Sequence, residues 1–394
     1  MIATGLDRLL ADPRRLAGRR YGLLAHAASV SASYLPAHLA LAAAGFPPAR
    51  LFAPEHGFYG VEQDMIAARD DTDPWTGAAI VSLYGEGEES LRPRPAAFDG
   101  LDLLIVDLQD IGTRYYTFAA TAVWAAEAAL AGGVEVWVLD RPNPLGGQVI
   151  EGNLLPPALE SFVGAFRLPV RHGLTLGEIA RLEARRRRWP ATPEVLRVEG
   201  WRRADLWPEL GRAWIAPSPN MPSFETALVY PGLCLVEATD CSEGRGTTRP
   251  FRLVGAPGVD PPALARRLAA LERFGVRFVP TYFRPQYQKH RGEVCGGVEL
   301  VVVEAGRVEG FRLGCELLLA LAELAPAAVR WRRAPYEFVD DRPAVDLLAG
   351  SAALRRAVEE GRGAGFDAWV ASWRGDELAF REERRAALLY EEAA

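Results

Sequence analysis

Lysine is almost missing from this chain. Of 45 basic residues, Lys289 alone is not arginine. A phosphate-binding glycine loop needs a lysine behind it, and Schiff-base catalysis needs a lysine nucleophile. Lys289 stands in Gln288-Lys-His-Arg291, which supplies neither context. Cysteine is scarce as well. Cys234, Cys241, Cys295 and Cys315 form no CxxC pair, which argues against a disulfide framework or a zinc knot. They are expected as buried free thiols. Five histidines, none closely spaced, make a His-rich metal site unexpected, and no cofactor is implied. The sequence has no GxSxG elbow, no HExxH helix and no GxGxxG loop. It has no apolar run of about 18 residues, so no membrane span is expected. The first residues show no basic stretch followed by an apolar one, which predicts a cytoplasmic protein. A net charge of −6 argues against a nucleic-acid surface.

What is present is globular. The 394 residues are 49% hydrophobic and 24% charged, too long a chain for one small core. Short apolar runs alternate with helical patterns in the first half. Strands are expected at Tyr21–Ala27, Arg50–Ala53, Ala79–Tyr84, Leu101–Leu108 and Val134–Leu139, with helices at Leu35–Ala44 and Phe118–Leu130. Leu101–Leu108 is apolar almost throughout, as a strand buried on both faces requires. This alternation predicts an α/β domain with a mainly parallel sheet. Thr175-Leu-Gly-Glu178 is a capping box that opens a helix to about Arg188. From about Val195 to Gly255 the chain is rich in proline and glycine, with loops expected near Pro217–Pro222 and Ser242–Pro250. Beyond it, a helix is expected from Asp260-Pro261 to Gly275, and strands at Val276–Phe283 and Gly297–Val303. Further helices are expected at Leu313–Leu324, Ser351–Glu360 and Gly363–Arg374. The second part is α+β, with a boundary near residue 230.

Polar residues gather just after the strands: His26, then Glu55-His56, Tyr84 and Glu86, then Asp107, Gln109 and Asp110, then Asp140–Pro144. Ligands of open α/β sheets bind beyond the carboxyl ends of the strands. These tips are therefore expected to converge on one site. Carboxylates, arginines and aromatics suit carbohydrate hydrolysis, which needs a carboxylic acid near the glycosidic oxygen and a second group opposite.

In Leu51-Phe-Ala-Pro-Glu55-His56-Gly57, Pro54 stiffens the approach to Glu55. A glutamate buried beside aromatics can keep its proton near neutral pH, as a general acid must. Asp110 lies farther out than Asp107 and is the better of the two for substrate contact. Arg114 and Tyr116 follow it. Arg141, Asn143 and Glu151 occupy a second stiff loop, and Arg171-His172 precedes the capped helix. Ser242-Glu243-Gly-Arg245-Gly-Thr247-Thr-Arg249-Pro250 reads as an anion clamp of backbone and guanidinium. For each single arginine, a salt bridge within the fold is an equally good reading.

The ordered motifs Pro54-Glu-His-Gly57, Ser82-Leu-Tyr-Gly85, Asp107-Leu-Gln-Asp-Ile-Gly112, Leu139–Gly147, Val170–Thr175, Ala216–Pro222, Ser242–Pro250 and Cys295-Gly-Gly297 resemble the exo-β-N-acetylmuramidases of glycoside hydrolase family 171. The resemblance runs over about residues 20–390. It implies a Rossmann-like catalytic domain, 1–230, and a smaller α+β domain, 231–394, that contributes to the cleft. It implies release of terminal N-acetylmuramic acid from the non-reducing end of peptidoglycan-derived sugars. It points to Glu55 as the catalytic carboxylate. Asp110, Glu243 and Glu151 remain as alternatives for the second. His26, His56, Arg114, Tyr116, Arg141, Asn143, Arg171, His172, Asn220, Arg245, Thr247 and Arg249 are the candidate substrate contacts. Relatives often carry asparagine where this chain has His26. The lactyl carboxylate of muramic acid needs a cation, for which Arg141, Arg171, Arg245 and Arg249 are available. Two other readings stand beside this one. The first is a non-catalytic binder of anionic sugars or muropeptides. The second is a metal-assisted hydrolase using Glu55, His56 and Asp64.

Overall fold

The computed structural model describes residues 2–63 and 66–391. Seven strands form one sheet: β1 (Tyr21–Ala25), β2 (Arg50–Ala53), β3 (Asp71–Thr72), β4 (Ala79–Ser82), β5 (Leu103–Asp107), β6 (Glu135–Leu139) and β7 (Glu194–Leu196). Their order is β3-β4-β2-β1-β5-β6-β7, and every pairing is parallel except β3 with β4. The expected α/β architecture with a mainly parallel sheet is met. The short β3 and β7 carry too little apolar pattern to be read from sequence.

Side chains alternate across a strand, and β5 shows the result. Leu103 and Ile105 join one core with α1 (Gly5–Ala11) and α2 (Ala37–Ala43). Leu104 and Val106 join the other, with α3 (Phe118–Ala131) and α4 (Leu176–Arg187). Both faces are covered, so the strand is apolar throughout. Each such fully buried Leu or Ile contributes roughly 2 kcal/mol.

The second core continues into the rest of the chain without a break. There, β8 (Leu253–Ala256), β9 (Val276–Phe283) and β10 (Cys295–Val302) form an antiparallel sheet in the order β8-β10-β9. Between the sheets lies α5 (Phe224–Leu233), a helix that the proline- and glycine-rich composition of this stretch does not announce. Residue 230 falls within this helix. Its composition misled because Pro231 sits inside it and Gly232 serves packing. A Cβ on Gly232 would lie 1.9 Å from the carbonyl of Gly310, where α7 (Gly310–Leu324) crosses. The expected helix to Gly275 is instead α6 (Pro261–Leu268) followed by 3-10 turns to Phe274. The chain ends in α8 (Ala344–Ala349), α9 (Ala353–Glu360) and α10 (Ala364–Arg384), the last ending ten residues later than expected. Among the described residues no helix is long and apolar enough to cross a membrane. All four cysteines are free and buried.

Candidate active site

Parallel pairing puts the ends of β1, β2, β4, β5 and β6 on one edge of the sheet. The winding reverses at β1: β2 and β4 lie on one side, β5 to β7 on the other. An open cavity lies beyond this edge. Glu55 and His56 line it from the end of β2, and Tyr115 to Phe118 from the start of α3. Ser218, Asn220 and Met221 add a third wall. Glu237, Arg245, Tyr336 and Glu337 close it from the C-terminal part.

Glu55 is 7% exposed. Thr117, the N-cap residue of α3, donates its hydroxyl to Glu55 Oε2 at 2.6 Å. His56 Nε2 lies 4.0 Å from the other oxygen. His56 sits at φ +69°, a conformation that costs a non-glycine residue energy. Its Nδ1 meets the carbonyl of Glu62 at 3.0 Å, and its ring packs edge-on to Phe118. Phe118 also touches Tyr116, whose buried hydroxyl borders the same cavity.

Opposite stands Arg245. It bonds Glu237 Oε1 at 2.7 Å and lies 3.4 Å from Glu243. Glu237 also accepts from the Tyr336 hydroxyl at 2.7 Å. Glu243 lies behind the arginine, away from the cavity lining, and Lys289 holds its second oxygen at 2.8 Å. The single lysine also donates to the carbonyls of Val236, Glu237 and Cys241, so it braces this loop. Gly246 has φ +78°, and a Cβ there would lie 2.6 Å from the Tyr287 carbonyl. Thr247 bonds Gly244 within the loop, and Arg249 pairs outward with Glu299. Neither lines the cavity. Asn220 does, held between Gln63 and the Tyr287 hydroxyl.

Several other candidates are scaffold. Arg141 makes a bidentate pair with Asp107 and reaches the Val30 carbonyl. Arg114 donates to the carbonyls of Asn153, Leu168 and Leu348, and Arg171 to those of Val308 and Leu145. Asn143 bridges Leu174 and Leu145. Buried arginines must satisfy several donors at once, and backbone carbonyls do so here. Burial pushes Arg114 and Arg171 down to about 10. Burial raises Asp110 to about 7; Gly112 donates to it at 2.6 Å and His172 Nε2 lies at 3.6 Å. His172 is pushed down to about 3 by the same burial. Glu151, also raised to about 7 by burial, accepts from the backbone N–H of Arg312 at the start of α7. His26 accepts from the backbone of Gln109 at 2.8 Å. None of these residues lines the cavity.

Glu237, Glu337, Tyr336 and Thr117 were not singled out in the sequence. Glu237 had one legible signal, as the sole charge in the apolar run Leu233–Ala238. Asp64 lies outside the described residues. Among those described, no group of three His, Cys, Asp or Glu is placed to hold a metal.

A pocket of carboxylates, one arginine and aromatic walls is the equipment of a glycosidase. Comparison with known proteins agrees. Residues 21–225 match the N-terminal profile of the exo-β-N-acetylmuramidase NamZ, and residues 228–390 match its C-terminal profile. The chain is 37% identical over 369 residues to the peptidoglycan β-N-acetylmuramidase NamZ of Bacillus subtilis (strain 168), covering 91% of this chain and 85% of that protein. Two solved structures, each titled a DUF1343 family protein from Bacteroides fragilis NCTC 9343, share the fold. One has a TM-score of 0.87 at 30% identity and covers 99% of both chains. The other has a TM-score of 0.74 at 26% identity and covers all of both. The chain belongs to the exo-β-N-acetylmuramidase family.

Proposed function

We propose that this chain releases terminal β-linked N-acetylmuramic acid from the non-reducing end of peptidoglycan fragments, with Glu55 as general acid. The observation that carries this is the pairing of Glu55 with Arg245 across one cavity. Glu55 protonates the departing glycosidic oxygen. Thr117 orients its carboxyl group, donating to one oxygen and leaving the other toward His56. Arg245 receives the lactyl carboxylate of the muramic residue. Of the four arginines weighed for that role, it alone lines the cavity. A charge-assisted pair contributes about 1.5–3 kcal/mol, enough to separate muramic acid from N-acetylglucosamine by a factor of ten or more. Tyr116, Asn220 and His56 contact the sugar's other groups. Glu243 acts through Arg245.

The test compares a chromogenic β-N-acetylmuramide with its glucosaminide, using the parent chain and Glu55→Gln. Release from the muramide alone, reduced about 10²–10⁴-fold in the variant, is expected for a lost general acid. Tight binding of the muramide with no turnover in the parent chain would instead make this a binding protein.

A further inference from the structure

The turn Tyr336–Val339 is the least ordinary piece of backbone in the cavity wall. Tyr336 and Val339 exchange both backbone hydrogen bonds, at 2.9 and 3.0 Å, which leaves a two-residue loop. Its central residues, Glu337 and Phe338, have φ of +46° and +68°. Two-residue hairpin loops with positive φ at both positions favour Asn-Gly. Glutamate and phenylalanine there cost energy, and such strain persists where the surroundings impose it, often at active sites.

The surroundings here are specific. Tyr84, from the loop after β4, donates its hydroxyl to Glu337 Oε2 at 3.0 Å. The Tyr84 ring is held between Phe338 and Phe162, each with its centroid 5.7 Å away. The Ser82–Gly85 motif therefore reaches across to the C-terminal part to fix one carboxylate. Glu337 is 7% exposed. It lines the cavity of Glu55. It also lines a neighbouring cavity walled by Arg92, Trp124, Glu160 and Phe162. Glu55 borders only the first.

An exo-acting glycosidase cleaves where a one-sugar pocket meets the space for the rest of the chain. Glu337 is the carboxylate that lines both cavities. The other candidates fall short on position. Asp110, Glu151 and Glu243 do not line the cavity. Glu237 lines the first cavity but not the second.

We propose that Glu337 is the second catalytic carboxylate, whose negative charge stabilises the positive charge that develops at the anomeric carbon in the transition state. Glycoside hydrolysis passes through such an oxocarbenium-like state, and a fixed charge aimed at it acts on kcat rather than on ground-state binding. The strained turn fixes that charge, and Tyr84 is its positioning residue. This proposal rests on the muramidase reading above.

The experiment uses the full chain and the chromogenic muramide. Release by the parent and its loss in Glu55→Gln test the underlying reading first; an inactive parent fails that reading rather than this one. Glu337→Gln keeps the turn and still accepts from Tyr84, but loses the charge. It is expected to lower kcat at least 100-fold, with KM within threefold and melting temperature unchanged. Tyr84→Phe is expected to lower kcat about tenfold. Glu337→Gly relaxes the turn, and added formate is expected to restore part of its turnover. A Glu337→Gln variant with parental kcat overturns the proposal. So does a Glu337→Gly variant that folds and gains nothing from formate. If Glu337→Gln does not fold, the formate result decides.

Discussion

At the scale of single residues, burial decides more than residue type. His26 was a candidate substrate contact, yet it is 4% exposed and its Nε2 accepts the backbone hydrogen bond of Gln109 at 2.8 Å. Burial, reinforced by the Arg141 cation, lowers it from 6.5 to about 3. The folded chain therefore refuses a proton that the unfolded chain accepts below pH 6.5. Stability from His26 is complete above pH 6.5 and is lost as pH falls toward 3, by about 1.4 kcal/mol per unit. His172 carries the same sign. Its neighbour Asp110 carries the opposite one, because its pKa rises from 3.8 to about 7. Glu151 and Glu178, each raised to about 7 by burial, share the sign of Asp110, so the slope of the whole chain is a sum of opposing contributions. His26→Asn is expected to remove the His26 contribution, so that in urea unfolding the stability of the parent relative to the variant falls by about 1.4 kcal/mol per pH unit as pH falls from 6.5 to 4.5. A slope equal to the parent's would refute this.

At the scale of elements, the clearest sequence signals were those with local physics. The capping box of α4 forms as read: Thr175 Oγ1 accepts from Glu178 N at 3.3 Å, and Glu178 Oε2 accepts from Thr175 N at 3.0 Å. What sequence did not show is that Thr175 also donates to the buried Asp140 at 2.7 Å. The cap thus ties a helix start to the end of β6. Thr175→Ala is expected to cost about 1–2 kcal/mol. Chemical denaturation checks it, and kcat per folded molecule should hold. A cost below about 0.5 kcal/mol would mean that the Asp140 contact contributes nothing. Elements with weak local patterning, such as β3, β7 and α5, were lost among polar or proline-containing segments.

At the scale of the whole molecule, the two parts are stitched together by polar contacts that no local pattern announces. Arg384, at the end of α10, has no exposed surface. It donates to the carbonyls of His172, Gly173 and Gly147 at 3.0–3.2 Å. Tyr390 donates to Asp140 at 2.5 Å and accepts from Val198 at 2.9 Å. Truncating Arg384 removes the donor to the carbonyls of His172 and Gly147, while the Gly173 carbonyl keeps Arg203 at 2.9 Å. At about 1–3 kcal/mol for each lost partner, Arg384→Ala is expected to lower global stability by at least about 2 kcal/mol in equilibrium unfolding. A loss under 1 kcal/mol would show that the C-terminal segment docks independently of this arginine.

Alternation of apolar runs with helical stretches determined the parallel sheet, because period and burial are local properties of a strand. Of the polar residues that gather after the strands, Glu55 and His56 line the cavity, whereas His26, Asp107, Asp110 and Arg141 do not. Only the tertiary structure separated residues that line the cavity from residues that brace the fold. Arg141 and Asp107 look as reactive in sequence as Arg245 and Glu55, but they pair with each other beneath the surface and do not line the cavity. Glu237 and Glu337 arrive at the cavity from residues some 180 and 280 positions beyond Glu55. Their meeting depends on how the second sheet and its turns pack onto the first. Packing acts between distant segments, and no window of sequence contains both partners.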